Sequence, residues 1–183
     1  MNLFESRGWS LDELPTANLF VDAASVPPRV GAVLLYDDTL LYSDMEPGEN
    51  VLRFFQTRDD NQIMSLELLA IAFGLSSFGE IIKGRRVYVW SDNTGSEHAT
   101  RKGAAKAFDH CCVVHSIWSK AAEIGIDMQV GRVATEANIA DLPSRGQYDL
   151  LGRLGALRAA PLLEERFCKP DAWEALSVKN LFG

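Results

Sequence analysis

Apolar and polar positions along this chain follow two different periods, and the change between them marks out the elements. Three short apolar runs come first: NLFVDAA (Asn18–Ala24), VGAVLLY (Val30–Tyr36) and TLLYSDM (Thr39–Met45). The turn signals SVPPR (Ser25–Arg29) and DD (Asp37–Asp38) separate them. Short strands joined by short turns predict an antiparallel meander. EPGEN reads as loop, and Val51–Thr57 matches neither period. From Ser65 to Lys83 the period lengthens. Leu66, Leu69, Phe73 and Ile81, with Leu68, Ala72 and Leu75, make a wide apolar face, the mark of a helix packed on a core. Ser65 is the expected N-cap and Gly84 the expected stop. VYVW (Val87–Trp90) is β-branched or aromatic, as strands prefer, and predicts a strand over Arg86–Ser91. Thr94–Glu123 reads as helical with a break near Gly103–Phe108. GIDMQVGRV (Gly125–Val133) predicts another strand, and ATEANIADLPSRG a loop and helix start. From Gln147 to Gly183 the pattern is short and helical, broken at Pro161 and Pro170.

The order β-β-β-α-β-α-β-α follows. Helical crossovers bring later strands parallel to the first, so the expectation is α/β: a five-stranded mixed sheet, meander plus parallel strands, with helices on its faces. Three parts are expected: a lead-in (1–17), one domain (18–146) and a C-terminal helical extension (147–183).

Composition changes this picture little. The 183 residues are 47% hydrophobic and 23% charged, an ordinary globular mixture. No apolar run approaches the ~18–20 residues of a bilayer span, so no membrane partner is expected. The start of the chain lacks the apolar stretch of a signal peptide. Its three cysteines, Cys111, Cys112 and Cys168, make no disulfide framework. The expected location is therefore intracellular. The formal net charge of −7 excludes nucleic-acid binding by bulk charge alone, but not a local basic groove.

Four carboxylates fall at element junctions. Asp22 interrupts the first strand, Glu67 lies in the first turn of the long helix, Asp92 ends the fourth strand and Asp141 begins the helix after the fifth. Each has a plainer reading. Asp92 is a good N-cap residue, Glu67 complements a helix dipole, and Asp141 suits a solvated helix start. Asp22 is the hardest to dismiss, because an uncompensated charge in an apolar strand is costly. If the four meet, they repel and their pKa values rise unless a cation neutralises them. Hard divalent ions such as Mg²⁺ take oxygen ligands, and a pair of them serves in-line phosphoryl displacement.

NLFVDAA, MSLELLAI, YVWSDN and EANIADLPSR resemble, in order, the four carboxylate motifs of the ribonuclease H family. The resemblance covers about Asn18 to Gly146. It is nearest in look to the ribonuclease H domain of retroelement reverse transcriptases, whether LTR-like or the DIRS type that carries a tyrosine recombinase. It implies a ribonuclease H-like fold and a metal-binding catalytic set of Asp22, Glu67, Asp92 and Asp141. It also implies two Mg²⁺ or Mn²⁺ ions and endonucleolytic hydrolysis of the RNA strand of RNA/DNA hybrids. The chain departs from the family in two ways. The loop VGRVATEAN lacks the mobile histidine of cellular members, with only Thr135 or Glu136 near its place, and no basic handle helix is evident.

Neutral residues beside the acids are the natural readers of 2′-hydroxyls: Asn61, Gln62 and Ser65 before Glu67, Asn93 after Asp92, and Asn138 before Asp141. Local capping is the alternative for Asn93 and Asn138. Arg101, Lys102 and Lys106 are candidates for the DNA-strand phosphates or a solvated helix face. The parent reverse transcriptase, or another protein docked on the C-terminal extension, is the expected protein partner. Two other functions stand beside the nuclease: a non-catalytic docking module of the same fold, and a DNA-directed nuclease or resolvase.

Overall fold

The computed structural model describes residues 14–167. Expectations for residues outside that range, including Cys168 and the break at Pro170, lie beyond the described residues. The meander is β1 (Thr16–Ser25), β2 (Pro28–Tyr36) and β3 (Thr39–Met45). Asp37 and Asp38 turn β2 into β3 with φ of 44° and 61°. Two successive left-handed residues suit the twist of a hairpin, and Asp tolerates that region better than most. After the short helix α1 (Glu49–Leu52) comes α2 (Ile63–Ile82), then β4 (Arg86–Ser91), which lies parallel to β1. The helical region splits into α3 (Thr94–Lys102) and α4 (Phe108–Glu123), and β5 (Asp127–Arg132) pairs parallel to β4. A 3₁₀ turn (Thr135–Ala137), α5 (Asp141–Ser144), α6 (Asp149–Arg153), β6 (Leu157–Arg158) and a last 3₁₀ turn (Glu165–Phe167) complete the described chain.

The sheet order is β5-β4-β1-β2-β3-β6. This is the expected mixed α/β sheet with helices on both faces, widened by one strand. β6 adds two residues in parallel to Leu41 and Tyr42 of β3, too short a piece to carry a period of its own. Alternation along β1 serves both faces. Ala17, Leu19, Val21 and Ala23 join the main core, whereas Phe20 packs with Val33, Ala140 and Leu151 on the other side. Period-2 side chains divide between faces in this way.

Three local expectations change. α2 begins at Ile63, with Gln62 at its N-cap in the left-handed region. Ser65 is therefore inside the helix and fully buried, and Glu67 lies in the second turn rather than the first. Gly84 follows the helix at φ 71°, as a C-terminal stop requires. α2 is also long and apolar enough, by length and composition, to cross a membrane. Small residues and two glutamates, Glu67 and Glu80, hide that length from a scan for unbroken apolar runs. Its residues are mostly buried inside this fold, so it is the core helix.

The segment after α5 is fastened to β3. The Ser43 hydroxyl donates to the carbonyl of Ala159 at 3.0 Å. The Tyr148 hydroxyl donates to Asp44 at 2.9 Å, and Arg158 does so at 3.2 Å.

Candidate active site

Asp22 stands midway along β1, a central strand flanked by β2 and β4. Glu67 reaches the same place from α2, and Asp92 from the residue after β4. One carboxylate oxygen from each of these three lies within 4.8 Å of the others. Asp22 and Glu67 are buried, and Asp92 is half-buried. The helix-cap reading of Asp92 fails, because the cap of α3 is Asn93, whose side chain accepts from the Ser96 N–H at 2.9 Å.

Asp141 stands outside this group of three. It is half-exposed, and Arg145 one turn later donates to it at 2.6 Å. Its charge still acts on Asp22.

The electrostatics are unbalanced. Burial pushes the Asp22 carboxyl up to about 7, the Ser144 hydroxyl draws it down, and the charges of Asp92 and Asp141 push it up further. Burial pushes Glu67 up to about 9, the charges of Asp22 and Asp92 add to this, and the Ala23 N–H opposes it. Desolvation and like charge are the two ordinary ways to raise a carboxyl pKa. Glu67 Oε2 is buried and has no hydrogen-bond partner. An orphaned buried oxygen beside two further carboxylates fits a hard divalent cation with oxygen ligands.

Ser144 was invisible as a site residue from sequence. Its hydroxyl donates a short hydrogen bond to Asp22 Oδ2 and also lies 3.0 Å from the Asp141 carbonyl. α5 comes this close because Gly31 faces it. A Cβ on Gly31 would lie 2.5 Å from the Ser144 backbone nitrogen. The cue was present in ADLPSR, but the partner is 122 residues away.

The substrate-side candidates divide. Asn61 is exposed with φ 53°. Gln62 spends its amide locally, donating to the Gln56 carbonyl at 2.8 Å and accepting from Ser65 at 3.3 Å. Ser65 and Asn138 do not fit the expected substrate contact. The Ser65 hydroxyl is 2.8 Å from His110 Nε2 in the core. Asn138 is buried, donating to the Val21 carbonyl at 3.0 Å and accepting from Ala140 at 3.2 Å. It ties the loop before Asp141 to β1. Asn93 is the α3 cap. Arg101 is exposed and paired with Glu97 at 3.1 Å, while Lys102 and Lys106 are exposed. Thr135 and Glu136 are exposed on their 3₁₀ turn. Ser65, His110 and Asp109 form no nucleophile–base chain, because Asp109 meets Arg58 and backbone N–H groups instead of the imidazole. Burial pushes the Cys112 thiol up to about 11, which makes it inert.

No protein-family model and no curated protein matches the sequence. Among solved structures, the chain is similar to the N-terminal RNase H domain of a Mycobacterium tuberculosis protein, solved as a fusion protein with maltose-binding protein. The identity is 15%, the match covers 78% of this chain and 99% of that one, and the TM-score is 0.52. RNase H1 from the halophilic archaeon Halobacterium salinarum matches at 17% identity over 68% of this chain and 90% of its own, with a TM-score of 0.45. At these identities the likeness to the mycobacterial domain shows the RNase H-like fold.

Proposed function

We propose that this chain is a divalent-metal-dependent endonuclease that hydrolyses the RNA strand of RNA/DNA hybrids. The observation that carries this reading is the meeting of Asp22, Glu67 and Asp92 around an unpartnered buried oxygen. The RNase H-like fold supports it, since that fold's solved members include RNase H domains.

In this reading Asp22, Glu67 and Asp92 hold two Mg²⁺ or Mn²⁺ ions, and Asp141 stands ready beside them. When bound, such ions activate the attacking water and stabilise the leaving oxygen of an in-line displacement. The chain supplies position. Ser144 engages Asp22 Oδ2 and leaves its other oxygen for the cluster. Arg145 holds Asp141 at the rim. Asn61, exposed on the loop before Glu67, suits contact with ribose. Arg101 and Lys102 lie on the helix after Asp92 and suit strand phosphates. Net acidity makes affinity rest on few phosphate contacts, so binding weakens steeply with salt.

The same reading assigns the domain, residues 18–146, to a retroelement reverse transcriptase acting inside the cell. The motif string SLELLAI, SDN and ADLPSR supports that origin. Residues 147–183 then serve as an extension on which the parent polymerase docks.

The test is cleavage of a matched hybrid, duplex DNA, duplex RNA and single strands in Mg²⁺. The expected result is cutting of RNA in the hybrid alone. Equal or preferred cutting of duplex DNA would replace this reading with a resolvase-like one. Metal binding without any cleavage would favour a docking module.

A further inference from the structure

The loop that leads into α2, residues 56–62, ends on two successive left-handed residues, of which Gln62 is disfavoured there. Asn61 and Gln62 take φ of 53° and 64°, a left-handed region that Asn tolerates but that costs a longer side chain such as Gln62. Such geometry persists only where the surroundings over-determine it, and it gathers at functional sites.

What holds the loop is anchored in α4. Arg58 grips Asp109 with both arms, Nη1 to Oδ2 at 2.8 Å and Nη2 to Oδ1 at 2.5 Å. The Gln56 N–H donates to the same Oδ2 at 2.9 Å. Arg58 and Gln62 both donate to the Gln56 carbonyl, at 3.0 and 2.8 Å. At the tip, Asp60 Oδ1 accepts the Gln62 N–H at 3.0 Å. Behind it, Ser65 Oγ meets His110 Nε2 at 2.8 Å. Asp109 is 3% exposed and His110 5%, so both anchors belong to the core. The contacts to Asp109 and His110 are buried or half-buried, and those within the loop are exposed. Asn61 is exposed, and its amide has no partner among the described residues.

We propose that Arg58 and Asp109, backed by Ser65 and His110, form a positioning latch that presents Asn61 to the 2′-hydroxyls of the RNA strand. Discrimination between ribose and deoxyribose is then set from α4, outside the carboxylate cluster. This rests on the hybrid-nuclease reading. A bidentate guanidinium–carboxylate pair suits the task because its geometry is fixed by two parallel bonds. A buried latch also costs no ordering when substrate arrives, unlike a loop that must freeze on binding.

The experiment compares wild type with Arg58→Gln, Arg58→Lys, Asn61→Ala and the double variant Arg58→Gln/Asn61→Ala. Affinity for a hybrid and for matched duplex DNA is read by fluorescence anisotropy in Ca²⁺, and the Mg²⁺-induced melting shift is read separately. Arg58 is chosen because it is partly exposed, whereas removing Asp109 would strand it. Arg58→Gln should cut the preference for hybrid over DNA by about tenfold, the scale of one lost hydrogen bond to a hydroxyl. Arg58→Lys, which keeps the charge but loses the fork, should fall between. The double variant should lose no more than Asn61→Ala alone, since coupled residues are not additive. The Mg²⁺ shift should be unchanged throughout. Full preference in Arg58→Gln, additive losses, or a Mg²⁺ shift that falls in step would overturn the latch. A wild type that shows no preference for hybrid would overturn the nuclease reading and the latch together.

Discussion

Asp22 and Asp44 occupy one row of the sheet on either side of Gly31, both are buried, and their surroundings are opposite. Asp44 receives Arg29 at 2.5 Å, Arg158 at 3.2 Å and the Tyr148 hydroxyl at 2.9 Å. Arg29 also pairs with Glu46. The charge of Asp44 is answered within the chain. Asp22 has the Ser144 hydroxyl, but the charges that act on its carboxyl are those of Asp92 and Asp141, and the nearby Arg145 is bonded to Asp141 instead. Burial of a charge is tolerated where partners compensate it. The hub at Asp44 therefore fastens the segment around Tyr148 and Arg158 to β3. The cluster at Asp22 is left without such an answer, and in the proposed function an external cation supplies it. Two buried aspartates two strands apart thus differ in whether the chain itself compensates their charge.

The largest expected effect breaks the functional side. Asp22→Asn or Asp92→Asn should lower hybrid cleavage by ~10³-fold or more, about 4 kcal/mol of transition-state stabilisation. Melting should hold or rise, because one repelling charge is gone. Near-normal turnover in either variant would remove that residue from the catalytic set.

The mirror-image variant, Asp44→Asn, should cost about 2 kcal/mol of stability. That is less than the full cost of breaking a buried pair, since both arginines reach solvent. The Mg²⁺-induced melting shift should survive, and its disappearance would show that the two acids are not independent. For wild type, Mg²⁺ at 100 times its dissociation constant should add about 2.7 kcal/mol, and Glu67→Gln should abolish that gain. Equal Mg²⁺ stabilisation of Glu67→Gln would place the ion elsewhere.

Without metal, pH should act on the two acids differently from metal-loaded protein. Asp22 and Glu67 have folded-state pKa values raised to about 7 and about 9 from 3.8 and 4.5. The folded state then holds protons that the unfolded state has released. Their contribution to stability is full below about pH 4 and is lost as pH rises toward 9. Denaturant titrations in chelator should show this decline, on the order of a few kcal/mol at most, and Mg²⁺ should flatten it. A chelated protein with constant stability from pH 5 to 9 would contradict the unbalanced cluster.

The smallest expected effect is that of Ser144→Ala. Losing the hydroxyl that orients Asp22 should weaken Mg²⁺ affinity by about tenfold, the usual cost of removing a ligand's hydrogen-bond partner. Isothermal titration would read it, and unchanged affinity would reduce Ser144 to a packing residue.

Much of this was legible along the chain. The meander, the long apolar helix and the strand ending at Ser91 all followed from local periods. Asp22, Glu67 and Asp92 stood out as acids at element junctions. Other features had no local signal. Gln62 stands at the helix cap in place of Ser65, in a loop tied to α4 by Arg58 and Asp109, a contact 51 residues apart. β6 is two residues long and forms only because β3 offers an open edge. Asn138 had the right chemistry for a ligand contact, yet its amide is taken up by the Val21 carbonyl.

By itself the sequence determined element types, because the side-chain period selects strand or helix within a few neighbouring residues. It also determined which acids are expensive to bury, because that cost depends on the apolar run around each one. The tertiary structure alone decided which acids meet. Asp22, Glu67 and Asp92 share one spot, Asp141 is held aside by Arg145, and Asp44 is neutralised by arginines from β2 and β6. The physical reason is that Coulomb and hydrogen-bond energies depend on distances across strands and helices, and those distances exist only once the sheet has closed its register.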